Sequence, residues 1–204
     1  MKANSIARLG SYLFHPLLMP SLGMLLLLNS GTYIALLDPA VKRALLTVVA
    51  LGTFAFPILI LPLLMVRNLE RHQPWSFHQT SARYHLVIVQ ILFLITLFYF
   101  YKLPLSRTLH SYMLGINLVL MVYLLLSFRF RVSLHLMALG ALAGLLLALF
   151  LRYQNQIQGP LICVILASGI CASSLLSLEE QRPATLLAGF VSGFGVLFLT
   201  LLLY

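Results

Sequence analysis

The chain has 204 residues, of which 61% are hydrophobic and only 8% charged. A soluble domain carries roughly 25% charged residues, so no water-soluble fold fits this composition. The formal charge of +9, from 13 Lys and Arg against 4 Asp and Glu, suits anionic lipid headgroups. It does not suit nucleic acid, because the basic residues are scattered over short connections with no soluble domain to hold them.

Apolar runs about 20 residues long are the length of a bilayer-crossing helix, whereas a transmembrane barrel would show short alternating segments. The first run, 12–37, follows Lys2 and Arg8 and has no convincing small-residue cleavage site. An uncleaved first helix is therefore expected rather than a signal peptide. His15-Pro16 and Pro20 should break or kink its opening, leaving a short interfacial or broken segment before the main span. Six further runs follow at 44–66, 85–103, 109–127, 133–151, 160–178 and 183–204. The expectation is an all-α polytopic bundle of six to seven spans, forming one integral membrane domain over 1–204.

Parity sorts the connections. If every run crosses, the N-terminus and loops 67–84, 128–132 and 179–182 share one face of the membrane. That face holds Lys2, Arg8, Arg67, Arg71, Arg83, Arg129, Arg131 and Arg182, with His72, His78, His85 and His135. The other face holds Lys42, Arg43, Lys102, Arg107 and Arg152. Counting basic residues would place the richer face in the cytoplasm. Within the runs, Asn117, Gln90 and Thr96 need partners across helix interfaces. Gly140 with Gly144, and Gly189 with Gly193, have the small-residue spacing that lets helices approach closely. Cys163 and Cys171 are eight apart on one helix, about 12 Å, too far for a disulfide. No CxxC or HExxH pattern occurs, so no metal or other cofactor is implied.

The stretch Arg129-Phe130-Arg131-Val132-Ser133-Leu134-His135 opens a long apolar helix. Arginine forks, a serine and the unpaired N–H groups of a first helical turn form a socket for a phosphate-like anion. Loop 67–84 adds Arg67, Glu70, Arg71, His72, His78 and Arg83, and loop 179–182 adds Glu179, Glu180, Gln181 and Arg182. Arginines for charge, a serine for hydrogen bonding and imidazoles for proton transfer would suit phosphoryl chemistry.

The order of these loops, with Arg131-Val132-Ser133-Leu134-His135 leading into a small-residue-rich helix, resembles a bacterial branch of the phosphatidic acid phosphatase type 2 superfamily. His15-Pro16-Leu17-Leu18-Met19-Pro20, Asn29-Ser30-Gly31-Thr32-Tyr33 and Pro183-Ala184-Thr185-Leu186-Leu187-Ala188-Gly189-Phe190 are similar to that branch too. The resemblance implies a helical lipid-phosphate phosphatase that works without a metal. It matches Ser133 and His135 to the motif supplying phosphate contacts and the general acid, with Leu134 in place of its glycine. Arg83 would stand for the arginine of the first motif, although Ser76 stands where its lysine is expected and Tyr84 where its proline is; Arg129 and Arg131, from the stretch that opens the apolar helix, would add phosphate contacts to these. In the third motif Leu175 replaces the arginine, Gln181 the nucleophilic histidine and Thr185 its aspartate. Glutamine does not attack phosphorus as a neutral imidazole does, and threonine does not hold an imidazolium as a carboxylate does.

The expected role is therefore a catalytically inactive protein that binds phosphorylated or anionic lipids, or a subunit of a membrane complex, in a bacterial inner membrane. Two alternatives remain at this point. One is an active lipid phosphatase, of phosphatidic acid or isoprenyl phosphate type, using His135 and an unrecognised histidine. The other is a small lipid transporter, which calls for a broken helix.

Overall fold

In hydrocarbon no water is present to satisfy backbone N–H and C=O groups, so an apolar chain satisfies them internally by forming helices. The computed structural model describes residues 15–60, 79–154, 158–177 and 182–204, without the side chains of 79–84. Every regular element among them is helical. In chain order these are α1 (Met19–Leu28), a 3-10 turn (Tyr33–Leu36), α2 (Pro39–Ile60), α3 (Gln79–Tyr101), α4 (Arg107–Ser127), α5 (Leu134–Tyr153), α6 (Gln158–Ser177) and α7 (Pro183–Leu203). Five of them, α2, α4, α5, α6 and α7, are long and apolar enough to cross a membrane.

Helix α5 is the axis of the bundle and touches α1, α4, α6 and α7. Its closest neighbour is α7, and the reason lies in the four glycines spaced in pairs. A Cβ on Gly140 or Gly193 would overlap the carbonyl oxygen of Phe190 or Met137 respectively, and one on Gly189 would lie 2.6 Å from the Ser133 oxygen. Backbone meets backbone along this seam. Helix α3 packs on α4, where Gln90 Nε2 donates to Asn117 Oδ1 at 3.5 Å and Asn117 Nδ2 donates to the Met113 carbonyl at 2.9 Å. Helix α6 buries only a narrow stripe of Val164, Ser168, Cys171 and Leu175, and turns Ile162, Ile165, Leu166 and Ile170 outward, as a lipid-facing helix does. Both cysteines are free.

Helix α2 carries a π turn at Leu51–Ala55. Pro57 lacks an N–H and its ring excludes the carbonyl four residues back, so the preceding turn widens. Gly52 in that turn lies against the Thr96 side chain, so closely that a Cβ would overlap it.

The first run departs most from expectation. Its opening turn at 16–18 is broken near His15-Pro16, as the sequence indicates, but the helix that follows lasts only ten residues. That is about 15 Å, half of a bilayer core. Asn29 Nδ2 donates to the Leu25 carbonyl at 2.9 Å, Ser30 Oγ donates to the Leu27 carbonyl at 2.8 Å, and Gly31 turns with φ 68°. The side chains thus satisfy the last carbonyls and the glycine supplies a left-handed residue, which ends a helix. Beyond the break, the Tyr33 hydroxyl pairs with Thr108 Oγ1 at 3.2 Å and its ring meets Tyr153 edge-on at 5.9 Å.

Asp38 then opens α2, its Oδ1 accepting from the Ala40 N–H at 2.6 Å. Asp38→Ala is expected to lower stability by about 1 kcal/mol, the usual effect of losing such a cap. Thermal unfolding in detergent checks it.

Candidate functional site

Helices α3, α5 and α7 begin at one end of the bundle, here the upper end, and α4 and α6 begin at the lower. Because α1 fills only the lower half of its lane, the upper half is left open. There the structure has a pocket of 390 Å³. Its walls come from 85–93 of α3, 112–120 of α4 and 134–142 of α5, with Leu197 of α7 and the turn before α1 closing the sides. Each of the three main walls spans nine residues, eight helical rises or about 12 Å. The lining is apolar except at its two ends.

The floor is Tyr112, 1% exposed, whose hydroxyl donates to the Pro20 carbonyl at 2.6 Å. Gly23 lies so close to that hydroxyl that a Cβ would overlap it, and the same Cβ would stand 2.9 Å from Leu142 Cδ2. A glycine at 23 lets the tyrosine ring lie across the top of α1.

The mouth carries imidazoles. His15 and His85 both line it, and His135 lies near enough to feel the charge of His15. His15 Nδ1 accepts from the Leu17 N–H at 3.4 Å, which leaves Nε2 as the protonated nitrogen of the neutral ring. Burial pushes this imidazole below its ordinary value of 6.5. The unfolded chain therefore takes up a proton that the folded site resists. Stability from this group is fully present above that ordinary value and is lost as pH falls from it toward the lower folded one. Melting temperature is expected to fall on acidification from pH 7.5 to 5, and less steeply in His15→Gln.

Of the residues singled out in the sequence, the structure brings some together and leaves others apart. Ser133 is fully buried, with its N–H donating to the Thr185 carbonyl at 3.2 Å and its carbonyl accepting from the Met137 N–H at 3.0 Å. The starts of α5 and α7 are thereby in direct contact. Ser133 Oγ does not cap α5 and has no partner among the described residues. A buried hydroxyl left in that state loses its hydration with nothing in exchange. Thr185 Oγ1 is occupied by the Arg182 carbonyl at 2.7 Å. Arg129 and Arg131 are exposed on the α4–α5 connection, and Leu175 is buried in the apolar core. The Arg83 side chain, Ser76, Gln181, Glu179, Glu180, Arg67, Glu70, Arg71, His72 and His78 lie outside the described residues.

Two participants were not legible beforehand. His15 was readable as part of a helix-breaking His-Pro pair and of a segment resembling the bacterial branch, not as a pocket residue, and Tyr112 as one more aromatic in an apolar run. The chain matches no family model, no curated protein and no solved structure. Fold and site together define a multi-pass helical membrane protein with an apolar pocket in one half of its bundle, rimmed by histidines.

Proposed function

We propose that this protein binds a lipid carrying a phosphorylated headgroup and does not hydrolyse it. The observation that carries the reading is the 390 Å³ apolar pocket opening at the same end as His15, His85 and the start of α5. A hydrocarbon tail occupies the pocket. The headgroup lies at the imidazoles and the start of α5, with Arg129 and Arg131 supplying charge from the adjoining connection. On this reading α3 crosses together with the five helices long and apolar enough to span, α1 is a half-length insert, and the bundle is a degenerate phosphatidic acid phosphatase type 2-like one in a bacterial inner membrane.

Catalysis is absent on this reading because the position of the nucleophilic histidine is Gln181 and that of its aspartate is Thr185. The three imidazoles around the mouth favour one competitor, an active phosphatase. Against it, Asp38 at the lower end is the only acidic side chain among the described residues, so no described carboxylate orients an imidazole at the mouth. Incubating purified protein with phosphatidic acid and isoprenyl phosphate is expected to release no inorganic phosphate, while either lipid raises the melting temperature. Phosphate release that disappears in His135→Ala would overturn the reading in favour of the phosphatase.

A further inference from the structure

The geometry points to Tyr112, seated on Gly23, as the residue that sets the length of hydrocarbon tail the pocket accepts. The inference rests on the proposed lipid-binding role and adds a selectivity to it. The pocket runs about 12 Å from the mouth along α3, α4 and α5, less than one leaflet of a bilayer core. At that depth the passage is closed by the Tyr112 ring, Leu142, Leu197 and the first turn of α1. The ring cannot swing aside freely, because its hydroxyl is bonded to the Pro20 carbonyl and the space behind it is filled by the α1 backbone at Gly23.

With its phosphate held at the mouth, a tail has one direction to go. Carbon atoms up to the floor gain contact with the walls. Further atoms must fold back or lift the headgroup away from His15 and His85. The occupant is therefore a tail of limited reach, and a longer one is discriminated against by the floor and not by the walls.

The test uses the full-length protein in detergent and three probes, octyl, dodecyl and hexadecyl phosphate, with inorganic phosphate as the tail-free control. In the native protein, dodecyl phosphate should bind at least about tenfold more tightly than octyl, since each buried methylene is worth about fourfold, and hexadecyl should gain nothing more. Tyr112→Ala prolongs the pocket by the volume of the ring, and hexadecyl should then bind about tenfold more tightly than dodecyl. Ala141→Leu raises the floor and should remove the advantage of dodecyl over octyl. Tyr112→Phe keeps the ring and should leave the length profile unchanged. Binding whose length profile is the same in the native protein, Tyr112→Ala and Ala141→Leu overturns this inference while leaving lipid binding intact. No saturable binding of any alkyl phosphate by the native protein overturns the lipid-binding role itself.

Discussion

Gly193→Val is expected to destabilise the bundle by about 3 kcal/mol, at the upper end of overpacking effects. A Cβ at this position overlaps the Met137 carbonyl oxygen, and that oxygen belongs to the backbone of the central helix. A side chain in the way could change rotamer, but a helical carbonyl moves only with its helix. Gly189, Gly140 and Gly144 bring the same two backbones together one turn on either side, so α5 and α7 would have to separate along their shared length. Gly195 provides the control, because a Cβ there meets nothing within 4 Å. Gly195→Ala should leave stability unchanged or raise it by up to about 1 kcal/mol, through the better helix propensity of alanine. Thermal unfolding of both variants in one detergent reads the contrast directly.

The second large effect concerns binding. Ala138 lines the pocket from α5 between the mouth and the floor. Ala138→Trp would place an indole in the cavity, and dodecyl phosphate should bind at least about tenfold more weakly. The headgroup contacts are not touched by this change, so a loss of affinity reports on the tail alone. Arg131→Ala makes the complementary case: its side chain is exposed on the α4–α5 connection. An exposed charge of this kind acts on association and salt dependence more than on the fit of the tail. The two variants together separate where the tail sits from what attracts the head.

Much of the scaffold could be read from the chain. Runs of about 20 apolar residues admit one backbone solution in hydrocarbon, and each of the seven runs contains a helix. The four paired glycines mark the α5–α7 seam because only small residues permit such an approach. Parity placed the starts of α5 and α7 at one end, and the Ser133–Thr185 hydrogen bond joins them there.

The range of six to seven spans turns on the first run, and α1 covers only ten residues of it. Asn29-Ser30-Gly31 interrupts an otherwise apolar run and carries the turn signal that ends the helix. The pocket follows from that same feature. It is a gap left by a helix that stops at half depth, and no local motif encodes a gap. His15 and His135 are 120 positions apart, and only the fold brings the one near enough for its charge to be felt at the other. The third-motif comparison rests on Gln181, which lies outside the described residues, so the structure adds geometry there at Leu175 and Thr185 alone.

The most direct test of tail binding in the bundle is photo-crosslinking with a phosphorylated lipid that carries a diazirine at the end of its tail, followed by proteolysis and mass spectrometry. Adducts are expected on the pocket walls, at 112–120 of α4 and 134–142 of α5, and should disappear in Ala138→Trp. Adducts confined to the outward stripe Ile162, Ile165, Leu166 and Ile170 of α6, unchanged by that substitution, would contradict the account.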